Sequence, residues 1–361
     1  MKYIDEFRNS DIITTIKNKI DRIYNRTPVN LMEVCGGHTH AICKYGIRSL
    51  LPPGINLLSG PGCPVCVTET SYIDKAIALA RRSNTIIATY GDMVKVPGSQ
   101  ESLETSRNHP AKIKICYSSL EALKLAEKQS DSEVIFLAVG FETTAPSIAA
   151  TILEGEKRGV KNFSILSGNK TMPAAMKTLL DAGDCRINGF ICPGHVSTIT
   201  GVHIYDFIAK DYNIPCVVSG FEPLDIMESI YLLIKQLMER KAGVVNQYKR
   251  SVNAEGNRKA LEIMYEVFES SAAIWRGLGS IPDSGLKLKE NYQDFDAEVK
   301  FKPEIRTVEQ ESACICGSIM RGVNQPPDCK LFRKECNPEN PIGPCMVSSE
   351  GPCSAYYKYV R

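Results

Sequence analysis

The chain has 361 residues, too many for one small core, so two or three domains are expected. Its 43 basic and 41 acidic residues leave a formal net charge of +2 with no basic block, which argues against nucleic acid or an anionic membrane as partner. The apolar runs are too short to span a bilayer, and the N-terminus MKYIDEFRNSDIITTIKNKI lacks a signal-peptide core, so a cytoplasmic location is expected.

Residues 1–28 read as an amphipathic helix, because Ile13, Ile16, Ile20 and Ile23 fall at helical spacing. Its expected role is packing, against the C-terminal domain. From about Val29 to Gly220 a short β-rich run repeatedly ends in a glycine-bearing loop, usually followed by a helical stretch. The instances are NLMEVCGGHTH, INLLSGPGCPVC, TIIATYGDMVKVPG, KIKICYSS, EVIFLAVGFETTAP, FSILSGNKTMP, GFICPGHVS and PCVVSGFEP. Buried strands alternating with helices indicate an α/β fold with parallel sheets. The eight units divide near Glu127–Glu133, which predicts two similar α/β domains, 29–127 and 128–222, facing a cleft. Ligands sit beyond the carboxyl ends of such strands, and every loop just quoted lies at one.

After Pro223 the pattern changes. Ile226, Ile230, Leu233, Ile234 and Leu237 mark one helix, and Leu261, Met264 and Phe268 another. From Pro303 onward the chain is rich in Cys, Pro and Gly with little periodicity, and a metal site would supply the stability that apolar burial cannot. Residues 223–361 are therefore expected to form a mainly helical and irregular domain.

Fourteen cysteines in a chain expected in a reducing compartment point to metal or redox chemistry rather than a disulfide framework. Six of them, Cys314, Cys316, Cys329, Cys336, Cys345 and Cys353, fall within forty residues and have no histidine among them. All-thiolate sites suit iron–sulfur clusters or structural zinc. The paired C-x-x-C knuckles usual for zinc are missing here, which favours iron–sulfur. Four ligands satisfy a cubane and two cysteines remain. Cys314 and Cys316 are only two residues apart, and the expectation is that one binds a cluster while the other faces a partner thiol.

Four further groups are candidates for chemistry. In GPGCPVCVT, Cys63 and Cys66 form a C-x-x-C that follows a strand and opens a helix, a setting that lowers a thiol pKa and suits redox or metal delivery, though zinc knuckles share the spacing. In VCGGHTHAIC, Cys35 precedes two glycines and then His38 and His40; a thiolate and an imidazole in one loop suit a transition metal, whereas hydrogen bonding of the histidines to backbone is the plainer reading. GFETTAP offers Glu142, with helix capping by Thr143 or Thr144 as the plainer reading. Cys192 and His195 in CPGHVS are ligands or rim residues. Cys43, Cys116, Cys185 and Cys216 have no partner at metal spacing and read as core or incidental thiols.

CGGHTHAICKYG, GPGCPVCVT, GFETTAP, PGHVS, SGFEP and the tail ending MVSSEGPCSAYYKY together resemble the HypD family, in order and across nearly the whole chain. That resemblance implies a cytoplasmic role in nickel–iron hydrogenase maturation. It implies a complex with HypC that carries an iron while cyanide and carbon monoxide are added, giving Fe(CN)2CO. It further implies cyanide supplied by HypE with HypF, and delivery of the iron group to the hydrogenase large-subunit precursor. It implies a C-terminal 4Fe-4S cluster in an arrangement similar to ferredoxin:thioredoxin reductase. Carried onto this sequence, Cys35 matches the family's essential cysteine and is the candidate iron ligand, with His38 as an orienting group. Cys63 and Cys66 match its C-x-x-C pair. Cys314, Cys329, Cys336 and Cys353 are assigned to the cluster and Cys316 and Cys345 to a thiol pair, which would relay electrons from the cluster to Cys63 and Cys66. The competing expectations are a thiol–disulfide reductase fed by an iron–sulfur cluster, and a scaffold whose cluster only stabilises the tail.

Overall fold

The computed structural model describes residues 5–106, 112–305 and 313–360. Residues 1–4 of the expected N-terminal helix and 306–312 of the cysteine-rich segment lie outside the described residues.

All eight expected strands form: β1 (Val29–Glu33), β2 (Ile55–Ser59), β3 (Thr85–Thr89), β4 (Lys112–Ile115), β5 (Glu133–Gly140), β6 (Phe163–Asn169), β7 (Gly189–Pro193) and β8 (Cys216–Ser219). A short β9 (Val244–Asn246) follows, then an antiparallel hairpin of β10 (Phe268–Trp275) and β11 (Gly279–Leu288). β1 to β9 build two parallel sheets, ordered β2-β1-β7-β8-β9 and β4-β3-β5-β6. The fold is thus α/β with two parallel sheets, as the strand periodicity indicates.

The division of strands between the sheets differs from the expected one. β1 and β2 pair with β7 to β9, and the intervening β3 to β6 form the other sheet. A boundary at 127/128 therefore cuts the four-stranded sheet in two. The chain leaves the first sheet after β2, builds the second, and returns. Each βα unit reads the same locally whichever sheet it joins, because a strand buried on both faces carries no mark of its neighbour.

That two-sided burial explains the near-continuous apolar runs. Along β1, Met32 enters the central core between the sheets while Leu31 faces the opposite side of its own sheet. Along β3, Ile87 enters the central core and Ile86 faces the outer helices. The alternation follows the two-residue period of a strand. On the outer face of the first sheet, the helix Ser10–Ile23 buries Ile16 and Ile20 beside Ile226 and Ile230 of the helix Pro223–Glu239. Asn9 caps the N-terminal helix, its side chain accepting from the N–H groups of Asp11 and Ile12 at 2.9 and 3.1 Å.

The hairpin and the tail complete the central core. Trp275 is fully buried and its indole N–H donates to Ser284 Oγ at 2.9 Å. Isolated bridges tie Thr68 to Trp275 and Lys170 to Gly285, so the hairpin touches both sheets' loops. The tail forms three short helices, Cys316–Met320, Pro344–Val347 and Pro352–Tyr359, and contributes Cys316, Ile319, Met320, Cys345 and Met346 to the central core. Among the described residues, no helix is long and apolar enough to cross a membrane.

Candidate thiol site at the sheet rim

The return of β7 and β8 to the first sheet puts four motif loops on one rim: those after β1 (Cys35), β2 (Cys63), β7 (His195) and β8 (Phe221). Cys35 stands at the N-terminus of the helix Gly36–Lys44 and is 9% exposed. Burial, with the carboxylates of Glu350 and Glu33 nearby, pushes its thiol well up, although the N–H groups of Gly37 and His38 point at the sulfur. Glu33 is completely buried in β1 and is itself raised to about 8 by desolvation. One of its carboxylate oxygens accepts from the Cys35 backbone N–H at 3.1 Å and the other from the Thr39 hydroxyl, so it fixes both ends of the CGGHT turn.

His38 is fully buried, and burial lowers its pKa to about 4. Its Nε2–H donates to the Gly220 carbonyl at 2.9 Å, while Nδ1 has no protein partner. The ring stacks on Phe221 at 4.7 Å between centroids, and His195 stacks there too at 4.0 Å. His40 turns instead to the tail, with Nδ1–H donating to Ser349 O at 3.2 Å and Tyr359 OH donating to Nε2 at 3.4 Å. Both histidines thus bond to backbone carbonyls, and only His38 keeps a free buried nitrogen.

Cys63 and Cys66 lie against this loop. Gly36 N–H donates to Gly62 O at 3.0 Å, and a Cβ on Gly62 would stand 2.1 Å from the Cys35 nitrogen, so glycine alone permits the approach. The helix that the pair opens is only Pro64–Val67, and Cys63 Sγ accepts from Cys66 N–H at 3.3 Å. The expected lowering of a thiol pKa by the helix end is not what results at Cys66. That residue is fully buried, and desolvation drives its pKa well upward.

The tail joins the opposite side. Cys345 is fully buried, with the Cys316 and Cys66 side chains in hydrogen-bonding contact on either side of it. Cys66 also donates to the Pro344 carbonyl at 3.9 Å. Cys314 donates to Cys316 at 3.1 Å between sulfurs, and Cys353 reaches Cys316 as well. A row of sulfurs therefore runs from Cys314 and Cys353 through Cys316 and Cys345 to Cys66 and Cys63.

Cys314, Cys316, Cys329, Cys336 and Cys353 line one small void whose other walls include Ile319, Leu331, Phe332 and Met346; Cys345 lies outside it. Among the described residues no three Cys, His, Asp or Glu side chains converge closely enough to hold a single metal ion. Thiols spread around a void with apolar walls fit an iron–sulfur cluster, whose ligands sit on separate irons.

Other expected site residues lie elsewhere. Glu142 is buried at the rim of the second sheet, where it accepts from Met172 N–H at 2.9 Å and so caps the helix Met172–Ala182. Neither threonine of GFETTAP caps by its side chain in the way expected: Thr143 is exposed, and Thr144, at the helix start, makes no capping bond. Cys192 is fully buried beside Cys216 in the central core, away from the exposed His195 on the rim. Sequence reasoning missed Glu33 and Glu350. Glu33 was visible as a lone charge in an apolar strand run. Glu350, whose side chain packs on Gly36, carried no signal in a polar tail.

The fold and this rim define a two-sheet α/β thiol protein whose cysteine-rich tail closes onto paired cysteines of its first sheet. The HypD family model, described as "Hydrogenase formation hypA family", matches residues 10–360. The hydrogenase maturation factor HypD2 of Bradyrhizobium diazoefficiens is 45% identical over 370 residues, covering 100% of this chain and 97% of its own. HypD of Azotobacter vinelandii is 45% identical over 369 residues, with the same coverage of 100% and 97%. A putative hydrogenase expression/formation protein of Methanocaldococcus jannaschii is 45% identical over 352 residues, covering 97% of this chain and 96% of its own. The chain belongs to the HypD family of hydrogenase maturation factors.

Proposed function

We propose that this chain is the scaffold, together with HypC, on which an iron ion receives cyanide and carbon monoxide before delivery to a nickel–iron hydrogenase large-subunit precursor. HypE with HypF would bring the cyanide, and the work would take place in the cytoplasm. One observation carries the reading: the unbroken row of sulfurs from Cys314 to Cys63 ends against the Cys35 loop.

Cys35 is the candidate ligand for the carried iron. Burial first, and then Glu350 and Glu33, disfavour an ionised sulfur at Cys35, and a divalent cation reverses that balance, so the thiol ionises as iron arrives. A soft thiolate suits iron with strong-field ligands. His38 stays neutral at physiological pH and offers Nδ1 as an acceptor, suited to orienting a group held at Cys35. This cation-seeking loop distinguishes a carrier from a plain disulfide reductase, which has no use for it.

The thiols between tail and rim are placed for exchange. Cys345 thiolate attacks Cys66 of a Cys63–Cys66 disulfide and releases Cys63 thiolate. Cys316 thiolate then attacks Cys345, forming a Cys316–Cys345 disulfide and releasing Cys66. One dithiol is oxidised and one disulfide reduced, with no net electron added. A 4Fe-4S cluster, held by Cys314, Cys329, Cys336 and Cys353, would supply single electrons when bound. Infrared spectra of the chain copurified anaerobically with HypC test the carrier reading. Cyanide and carbon monoxide bands support it; their absence, with turnover of a disulfide substrate, replaces it with the reductase.

A further inference from the structure

The loop that follows β8 is wedged into the rim beside Cys35. Its Gly220 carbonyl accepts the His38 Nε2–H at 2.9 Å, with Ser219 O at 3.3 Å from the same nitrogen. Its Phe221 ring stacks on both His38 and His195. A Cβ on Gly37 would stand 3.0 Å from that ring, so the wedge also covers the turn next to Cys35.

The wedge is held from behind by one carboxylate. Gly220 N–H donates to Gln247 Oε1 at 3.1 Å, and Gln247 Nε2 donates to Asp225 Oδ1 at 2.9 Å. Glu222 N–H donates to Asp225 Oδ2 at 3.2 Å. A Cβ on Gly220 would be 2.3 Å from Asp225 Oδ2, so only glycine lets the loop come this close. Asp225 is fully buried, and Arg250 grips both its oxygens, at 2.7 and 2.5 Å. A carboxylate buried this deeply needs a paired cation, and a bidentate fork also fixes its orientation.

The fork is in turn packed from two parts of the chain. The Arg250 guanidinium lies 3.9 Å from the Phe7 ring centroid and 4.5 Å from that of Tyr248. The neighbouring Arg8 pairs with Glu222 through two bonds, at 2.5 and 2.9 Å. A planar group bonded along one edge and packed on aromatic rings has little freedom to turn.

We propose that Arg250 is a positioning residue for this rim. Through Asp225 and Gln247 it holds the Gly220 carbonyl where it fixes the His38 ring as the Nε2–H tautomer, with Nδ1 left as a bare acceptor. A carbonyl at Nε2 selects the tautomer that carries its proton there, and a displaced carbonyl releases it. The use of that acceptor beside a carried iron rests on the carrier reading above; the hold on the ring does not.

The test isotopically labels the histidine ring nitrogens of the full-length, cluster-loaded chain and reads the His38 tautomer by nuclear magnetic resonance. Spectra are taken at about pH 8, where a free imidazole is neutral. The signal is assigned by its loss in His38→Gln. Arg250→Gln cannot grip both oxygens of Asp225, and it is expected to raise the ratio of Nδ1–H to Nε2–H about tenfold, the equilibrium weight of one hydrogen bond. A folded variant with a lower unfolding midpoint but an unchanged ratio would make Arg250 purely structural and overturn the inference. Should Arg250→Gln fail to fold, Gln247→Met decides. It removes the acceptor of the Gly220 N–H and leaves the Asp225–Arg250 pair; the same rise is expected, and an unchanged ratio overturns the inference. The ratio is read on the chain alone. A complex with HypC that shows no cyanide or carbon monoxide bands therefore defeats the carrier reading and leaves this measurement to decide the inference.

Discussion

Cys66 and Cys345 are drawn together from near opposite ends of the chain into side-chain contact in the dry centre of the molecule. The contact exists because the helix Pro344–Val347 lies over the short helix Pro64–Val67, with Cys66 bonded to the Pro344 carbonyl. Neither sulfur reaches solvent, so exchange between them excludes bulk thiols. In the proposed exchange, reducing equivalents would pass between them without loss to a bulk disulfide.

The void in the tail yields the first prediction. Cys329→Ala and Cys336→Ala each remove a thiol from its lining and are expected to abolish the cluster absorbance, lower bound iron and loosen the tail, because metal binding there is coupled to folding. Cys345 lies outside the void, so Cys345→Ala is expected to keep the absorbance. Iron content beside the visible spectrum checks all three. Full cluster iron in either of the first two variants would remove that cysteine from the ligand set.

Cys316 borders the void and also touches Cys345, so its variant separates two roles. Cys316→Ser is expected to retain cluster iron and lose the ability to form a disulfide with Cys345. Loss of the cluster instead would exchange the roles of Cys314 and Cys316.

Gly62→Ala tests the junction between the C-x-x-C and Cys35 loops. The added methyl would overlap the Cys35 backbone, at 2.1 Å from its nitrogen. A cost of about 1–3 kcal/mol is expected, as for overpacking elsewhere. It should appear as a lower unfolding midpoint together with faster alkylation of Cys35. A midpoint equal to that of the unmodified protein would show that the loops are not held this close.

Glu142 gives a pH dependence. Burial raises its carboxyl from 4.5 to about 7, and one oxygen has no partner. Its folded pKa is above the unfolded value, so its contribution to stability is complete below about 4.5 and is lost as pH rises through about 7. Removing the titration with Glu142→Gln should reduce the loss of stability between pH 5 and pH 8 by up to about 3 kcal/mol. Denaturant midpoints at the two pH values decide it: equal losses in both proteins would mean that Glu142 does not titrate in this range.

The sequence made seven of the eight expected strands legible because each is short, apolar and closed by a glycine-bearing loop, whereas KIKICYSS has no glycine and alternates lysine with isoleucine. It made Cys35, Cys63, Cys66 and the tail cysteines legible because their spacing is unusual. It did not reveal that β7 and β8 return to the first sheet, since the choice of neighbour lies in contacts made after the chain folds back. The hairpin was hidden for a different reason. FESSAAIW is rich in small residues and GSIPDSGLKL carries Gly, Pro and Asp, so both have low strand propensity and form through tertiary packing. Glu33 stood out as a lone charge in an apolar run, but its hold on the Cys35 turn was hidden because a charge counts as ordinary until its burial is known.

The last prediction concerns Cys35. If it holds the carried iron, Cys35→Ala copurified with HypC is expected to lose the cyanide and carbon monoxide infrared bands and to fail in hydrogenase maturation. It should still fold, because Glu33 bonds to the backbone of residue 35 rather than to its side chain. It should also keep its cluster absorbance, because the cysteines lining the void all come from the tail. Cys35→Ser refines the test, since a hydroxyl of similar size is a far poorer ligand for low-spin iron than a thiolate. His38→Ala should weaken the bands less than Cys35→Ala does, because an orienting imidazole contributes through its neighbour rather than by holding the iron itself. Bands of normal intensity in Cys35→Ala would place the iron on HypC or on Cys63 and Cys66. The backbone contact between Gly62 and Cys35 makes the second of these the nearer alternative, so Cys63→Ala combined with Cys35→Ala would then separate the two.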